Sequence, residues 1–244
     1  MVDGPLSGRR IVVTRPEATP LVAALEDLGA EVTLVPLIEI RQADVEDSRA
    51  LDAALEVIGD YDWLVFTSVN GVAAVGERLR GIGERPRVAA VGPVTAQAIR
   101  DLGVEPGYVA ARSSDDIAGG LGELDGTRVL LPQADIASPA LADELRGRGA
   151  TVDAMIAYRT VQVEPALWGM LPLRLAHAVI LASGSAARSL AAAGGAGDAA
   201  CLVCIGPKTA SVAREVGLRV GLVADEATTD GIIRALVSHF GESM

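Results

Sequence analysis

The sequence predicts an α/β protein made of two parallel-sheet domains, and three observations carry that prediction. Short apolar runs alternate with helix-length segments from end to end, the pattern of parallel strands covered by helices on both faces. The segment Arg87-Val-Ala-Ala-Val-Gly-Pro-Val-Thr-Ala96, closing at Gly103, reads as strand, Gly-Pro turn and helix. It recurs as Cys201-Leu-Val-Cys-Ile-Gly-Pro-Lys-Thr-Ala210, closing at Gly217. The recurrence has a fixed step: Gly92 to Gly206, Thr95 to Thr209, Gly103 to Gly217 and Asp116 to Asp230 are each 114 positions apart. A step of that length marks a duplicated domain rather than a solenoid.

In chain order, Arg10–Thr14 is a short buried strand, Arg15-Pro16 turns, and Pro20–Leu28 is a helix stopped by Gly29. Glu31–Val35 completes a βαβ unit with a parallel pair. Pro36–Gln42 runs on with alternation, broken from the preceding strand by its proline. Val45–Ile58 is a helix. Trp63–Thr67 is a strand, followed by Ser68-Val69-Asn70 and a helix to about Leu79. The first Gly-Pro unit follows, then a strand near Tyr108–Ala110 and a helix announced by the capping cluster Ser113-Ser114-Asp115-Asp116.

At Gly126 the pattern restarts. Thr127–Pro132 repeats the first strand and turn, Pro139–Leu145 is a helix closing at Gly149, and Thr151–Met155 is a strand. Ala157–Val163 alternates as Pro36–Gln42 does. Ala178–Ala182 with Ser183-Gly184-Ser185 repeats the Trp63–Asn70 unit, Val65 to Ile180 being a step of 115. The second Gly-Pro unit, a strand at Gly221–Ala224 and a helix after Thr228-Thr229-Asp230 close the chain, so each copy holds about five strands.

A cut at Asp125 would separate the copies, but the two alternating segments argue for another division. If they pair antiparallel as a two-stranded ladder, the chain crosses there twice. Residues 1–36 and 163–244 then form one discontinuous domain, 43–156 an inserted one, and 37–42 and 157–162 the linking strands.

Bulk properties narrow the function. The chain has 244 residues, half of them hydrophobic and only 3% aromatic, so its cores are made of Val, Leu, Ile and Ala. No apolar run nears the roughly 18 residues of a membrane span. The N-terminus lacks the apolar stretch of a signal peptide, so the expected compartment is the cytoplasm. A net charge of −11 argues against nucleic acid and anionic membranes as partners. Cys201 and Cys204 form a C-x-x-C inside a strand, where an odd separation puts the side chains on opposite faces. They read as two small buried hydrophobes. With the two cysteines on opposite faces of one strand, the chain's two cysteines and two histidines are not expected to form an ordinary structural zinc site without carboxylate help.

Thr14-Arg15-Pro16, Phe66-Thr67-Ser68-Val69-Asn70, the doubled Gly-Pro-x-Thr-Ala and Ala157-Tyr158-Arg159-Thr160 together resemble the uroporphyrinogen-III synthase family, from about Arg9 to Phe240. Two departures stand out: Gln133-Ala134 where the family often has Arg-Gly, and Leu181-Ala182-Ser183 where Thr-Ser is commoner. The resemblance implies two Rossmann-like (flavodoxin-like) domains joined by a two-stranded β-ladder. It implies an enzyme that dehydrates hydroxymethylbilane, a linear tetrapyrrole, and closes it with the last pyrrole inverted to give uroporphyrinogen III. It implies no cofactor or metal, a monomer, and a substrate handed over by hydroxymethylbilane synthase.

The residues fit such chemistry by what they lack. There is no G-x-S-x-G, no P-loop, no G-x-G-x-x-G after a strand, and no nucleophile motif beside His177 or His239. A substrate whose pyrrole nitrogen expels its own hydroxyl needs positioning and shielding more than side-chain attack. Tyr158 is the candidate catalytic residue, a neutral phenol able to donate to the departing hydroxyl; a packed junction tyrosine is the plain alternative. The substrate's carboxylates need donors, and strand-to-helix turns at the carboxyl edge of a parallel sheet offer free N–H groups and positive dipole ends. The candidates are Thr14, Arg15, Ser68, Val69, Asn70, Gly92, Thr95, Ser183, Gly184, Ser185, Lys208 and Thr209, lining a cleft from both domains; for each Ser, Thr or Asn simple helix capping competes, for Lys208 a solvated helix start, and for Arg15 a surface ion pair. A non-enzymatic two-domain binding protein of the exported kind is disfavoured by the N-terminus. A tandem receiver module is disfavoured by strand ends at Thr14, Thr67 and Gly92, none an aspartate.

Overall fold

The computed structural model describes residues 4–15, 19–80, 85–110, 115–164, 171–197 and 200–241. The chain divides into two compact units, Met1–Glu39 with Val161–Met244, and Ile40–Thr160.

The first unit carries a five-stranded sheet. Its strands are β1 (Arg10–Val13), β2 (Glu31–Leu34), β9 (Ala178–Leu181), β10 (Cys201–Cys204) and β11 (Val220–Val223), in the order β11-β10-β9-β1-β2. All four neighbouring pairs are parallel. Alternation sorts the side chains onto two faces. Val12, Val179, Leu181, Leu202 and Cys204 meet helices α8 (Gly184–Ala192) and α9 (Pro207–Glu215). Ile11, Val13, Ile180 and Val203 meet α1 (Thr19–Asp27) and α10 (Thr229–Gly241) through Leu21, Leu25, Ile232 and Leu236. Each such burial stabilises the fold by roughly 1.5–3 kcal/mol. Short α7 (Leu171–Leu175) leads into β9. The two cysteines do fall on opposite faces and both are free thiols. Burial pushes Cys204 up to about 11 and raises Cys201 as well.

The second unit carries β4 (Trp63–Phe66), β5 (Arg87–Val91), β6 (Tyr108–Ala110) and β7 (Arg128–Ala134). Two further strands, β3 (Ile38–Gln42) and β8 (Thr151–Gln162), run through the boundary between units, and the six-stranded sheet is ordered β3-β8-β7-β4-β5-β6. The pairs from β8 to β6 are parallel. One face packs Leu64, Phe66, Val88, Ala90 and Leu130 against α2 (Val45–Glu56), α3 (Val69–Val75) and α4 (Pro93–Asp101). The other packs Trp63, Val65, Ala89, Val129 and Leu131 against α5 (Asp115–Gly120) and α6 (Ala140–Gly147).

Three elements differ from the sequence reading. The segments expected as two strands, Thr151–Met155 and Ala157 onward, are one strand of twelve residues. Pro36 breaks β2 from β3, whereas Ile156 at the matching place offers no break. β7 continues past Pro132 to Ala134. Its register with β4 ends at Leu130 while β8 stays paired, so a residue without an N–H is tolerated. The helix after Asn70 stops at Val75, where Gly76 takes φ +56°, and a 3-10 turn, Gly76–Leu79, completes it. Pro16 and the Ser113-Ser114 cap lie outside the described residues, while the matching cap at Thr228 accepts the Gly231 N–H at 3.1 Å.

Candidate functional site

Tyr158 stands on β8 at a break in register. Gln133 pairs with Ile156, but Ala134 pairs with Tyr158, so Ala157 is an extra residue, a β-bulge. Strict alternation would send neighbours 157 and 158 to opposite faces. Instead both turn to the face covered by α2, α3 and α4: Ala157 is buried in that core and the Tyr158 ring packs against it. The phenol reaches the start of α3, with Oη 2.9 Å from Ser68 Oγ. Ser68 is extended (φ −157°, ψ 156°) and caps the helix, its Oγ accepting the Gly71 N–H at 3.1 Å. Gly71 packs closely there: a Cβ would lie 3.1 Å from the Pro132 carbonyl oxygen on β7, a tight contact that the neighbour would have to yield to by a few tenths of an ångström.

Beside this pair lies a cavity of about 480 Å³. Its wall is β3 from Ile40 to Gln42, α2 through Ser48, Leu51 and Asp52, α3 through Asn70, Ala73 and Ala74, then Arg78, Ala157 and Tyr158. Arg78 pairs with Asp52 at 2.7 Å, both half-exposed, a pairing worth little net stability. The next residue along β8, Arg159, gathers three carboxylates: Asp44, Asp47 at 2.7 Å and Asp135 at 3.7 Å. Asp135 also accepts the Thr160 N–H at 2.9 Å and gives its own N–H to the Tyr158 carbonyl. The backbone directly after the phenol is thereby clamped. The Asp47 N–H, with Arg159, holds the Asp44 carboxyl below its usual range.

Tyr61 makes a useful contrast. It is buried, it donates to Asp153 Oδ2 at 2.7 Å, and burial with that carboxylate pushes its phenol up to about 12. Its proton is committed. The Tyr158 phenol instead meets a hydroxyl to which it can give a hydrogen bond or from which it can take one.

The remaining sequence candidates sort by position. Asn70 lines the same cavity as Tyr158, and Val69 precedes it, exposed, on α3. Gly92 follows β5 with φ +79° and donates its N–H to the Ala110 carbonyl at 2.8 Å. Thr95 is buried in the first turn of α4. In the first unit the candidates follow β1, β9 and β10, which are adjacent in the sheet. Thr14 is buried, and its hydroxyl donates to the Ile180 carbonyl at 2.7 Å, so its proton ties β1 to β9. Arg15 is exposed. Ser183 repeats Ser68 closely: φ −156°, ψ 158°, and Oγ accepting the Ala186 N–H at 3.1 Å. Behind that cap, Gly184 and Ser185 present first-turn N–H groups that no helical carbonyl can reach. Gly206 is extended, unlike Gly92, while Lys208 is exposed and Thr209 buried. The structure thus places Tyr158 and Asn70 on the wall of one cavity of the second unit, with Ser68 hydrogen-bonded to the Tyr158 phenol.

Sequence reasoning missed the bulge, the Arg159 cluster and the polar wall of Arg41, Gln42, Asp52 and Arg78. Only Arg159 carried a signal, standing next to Tyr158 in the quoted motif. Among the described residues no group of three His, Cys, Asp or Glu could hold a metal ion, and no helix is long and apolar enough to cross a membrane.

Comparisons with known proteins converge. Residues 19–234 match the family described as Uroporphyrinogen-III synthase HemD. The chain is 29% identical to the uroporphyrinogen-III synthase of Synechococcus elongatus, over 97% of each chain. It is 30% identical, over 97% of its own length, to the porphyrin biosynthesis protein HemD of Ruminiclostridium josui, of which it spans only half. Among solved structures it resembles a mutant uroporphyrinogen III synthase of Thermus thermophilus (TM-score 0.65, 19% identity, 93% and 96% of the two chains). It likewise resembles the Helicobacter pylori enzyme (0.62, 18%, 93% and 97%). At that identity the structural likeness speaks for the fold.

Proposed function

The chain belongs to the uroporphyrinogen-III synthase family, and on that premise we propose that it dehydrates hydroxymethylbilane and closes it, with the last pyrrole inverted, to uroporphyrinogen III. The pyrrole nitrogen pushes out the terminal hydroxyl and leaves an azafulvene cation. The last ring is attacked at its substituted carbon, through a spirocyclic intermediate. The bilane closes unaided to the uninverted isomer, so the protein's task is to hold the chain in the other geometry and keep water away.

Tyr158 supplies the proton that lets the hydroxyl leave as water. The observation that carries this reading is the 2.9 Å contact of its phenol with the Ser68 cap, at the edge of the cavity. The acetate and propionate arms are taken by first-turn N–H groups at Val69, Asn70, Gly184 and Ser185, capped by Ser68 and Ser183. Arg15 and Lys208 add cations at neighbouring turns, and Gly92, Thr95 and Thr209 shape the helix starts. The Thr14 hydroxyl serves the β1–β9 pair and not the substrate, since its proton is used within the sheet. The enzyme works as a cytoplasmic monomer and receives its unstable substrate from hydroxymethylbilane synthase.

The test supplies freshly made hydroxymethylbilane, oxidises the product and separates the isomers. The type III isomer is expected; type I alone overturns the reading. Tyr158→Phe should remain folded and turn over at least tenfold more slowly, in line with roughly 10²–10⁴-fold for general acid catalysis. A folded variant with the wild-type rate removes Tyr158 from the chemistry.

A further inference from the structure

We infer that Ser68 is a positioning residue that sets the direction in which Tyr158 offers its proton. The inference rests on Tyr158 being the acid. The Ser68 hydroxyl has one proton and two lone pairs. One lone pair is taken by the Gly71 N–H at 3.1 Å. What remains faces Tyr158 Oη at 2.9 Å and can run either way.

The two polarities are not equivalent for catalysis. When Tyr158 donates to Ser68, the phenolic proton points into the protein. When Ser68 donates to Tyr158, the Gly71 N–H and the Ser68 O–H run in one direction, and the Tyr158 O–H is left free to turn to the cavity that Tyr158 lines. Each donor in such a row polarises the next. A leaving hydroxyl in the cavity accepts only from the second arrangement and therefore selects it.

The proton balance then closes. The substrate's C–O bond breaks with its electron pair on oxygen, which takes the Tyr158 proton and departs as water. The phenolate left behind keeps the Ser68 hydrogen bond, a charge-assisted contact stronger than the neutral one. The attacked pyrrole later sheds one proton as it regains aromaticity, and the phenolate takes it back. The fold supports this role twice. The bulge at Ala157 turns the phenol to the face of α3, and Gly71, whose N–H the cap accepts, packs closely against Pro132 of β7.

A helix cap alone would explain Ser68 differently, so the test separates capping from positioning. Ser68→Gly removes the hydroxyl while keeping a residue well tolerated at an N-cap, Ser68→Ala removes both features, and Ser68→Thr restores a hydroxyl. Each is assayed for conversion of hydroxymethylbilane to the type III isomer, alone and combined with Tyr158→Phe, with thermal unfolding measured alongside. Positioning predicts that Ser68→Gly lowers kcat about tenfold with KM within twofold, and that Ser68→Thr recovers most of the rate. It also predicts that Ser68→Gly costs nothing further once Tyr158 is Phe. Equal losses from Ser68→Gly in the Tyr and Phe backgrounds overturn the inference while leaving Tyr158 as the acid. So does a wild-type kcat for Ser68→Gly. A wild-type rate for Tyr158→Phe overturns both.

Discussion

Tyr158 and Thr14 show how far a single residue's role depends on its immediate partners. Both were legible as candidates from the motifs around them, but their hydrogen bonds were not. The alternation of Ala157–Val163 gave no hint that Ala157 is an extra residue, because a bulge is a property of two paired strands and only one is visible at a time. Thr14 looked like a donor at a strand end. Its hydroxyl proton belongs to Ile180, 166 positions away, and no local pattern records that partner. Thr14→Val therefore removes a buried hydrogen bond worth about 1 kcal/mol and should lower the unfolding midpoint while leaving KM for hydroxymethylbilane unchanged. A raised KM at wild-type stability would return Thr14 to the substrate.

At the scale of elements, the β1–β9 pair is fastened at both ends. Thr14 secures the carboxyl end. At the amino end the Arg10 N–H donates to His177 Nδ1 at 2.9 Å, and the His177 N–H returns to the Arg10 carbonyl at 2.8 Å. An accepting Nδ1 carries no proton. Desolvation, helped by Arg10 and Arg9, lowers the His177 pKa below its ordinary value near 6.5. Between the folded and unfolded pKa values the unfolded chain binds more protons, so stability rises with pH across that window. The contribution is fully present above about pH 6.5 and is lost as pH falls through the folded value. Urea midpoints taken between pH 7.5 and 5 should fall more steeply for the wild type than for His177→Gln, and parallel slopes would rule the linkage out. The strands themselves were readable because each is a compact apolar run. Their continuity was not: one proline separates β2 from β3, and its absence at Ile156 makes β8 a single strand.

For the whole molecule, the 114-residue step between the two Gly-Pro units was the most legible feature, since it needs no structure to be seen. The corresponding turns nevertheless differ in local geometry. The Ser68 and Ser183 caps agree within a few degrees, whereas Gly92 is left-handed and Gly206 extended. Conserved spacing therefore does not guarantee conserved backbone. Net charge raises the last question at this scale. At −11 the protein repels a polyanionic substrate at long range, yet the proposed function requires it to bind one. The conflict is resolved if binding uses N–H donors at contact distance, because repulsion between separated charges is screened over about 10 Å at 0.1 M salt while hydrogen bonds at helix starts are screened far less. Raising salt from roughly 0.05 to 0.3 M shortens that screening length further and should leave KM for hydroxymethylbilane within about twofold, or lower it as the repulsion fades. A KM climbing tenfold over that range would mean that exposed cations such as Arg15 and Lys208 dominate binding, and that the backbone donors at Val69, Asn70, Gly184 and Ser185 do not.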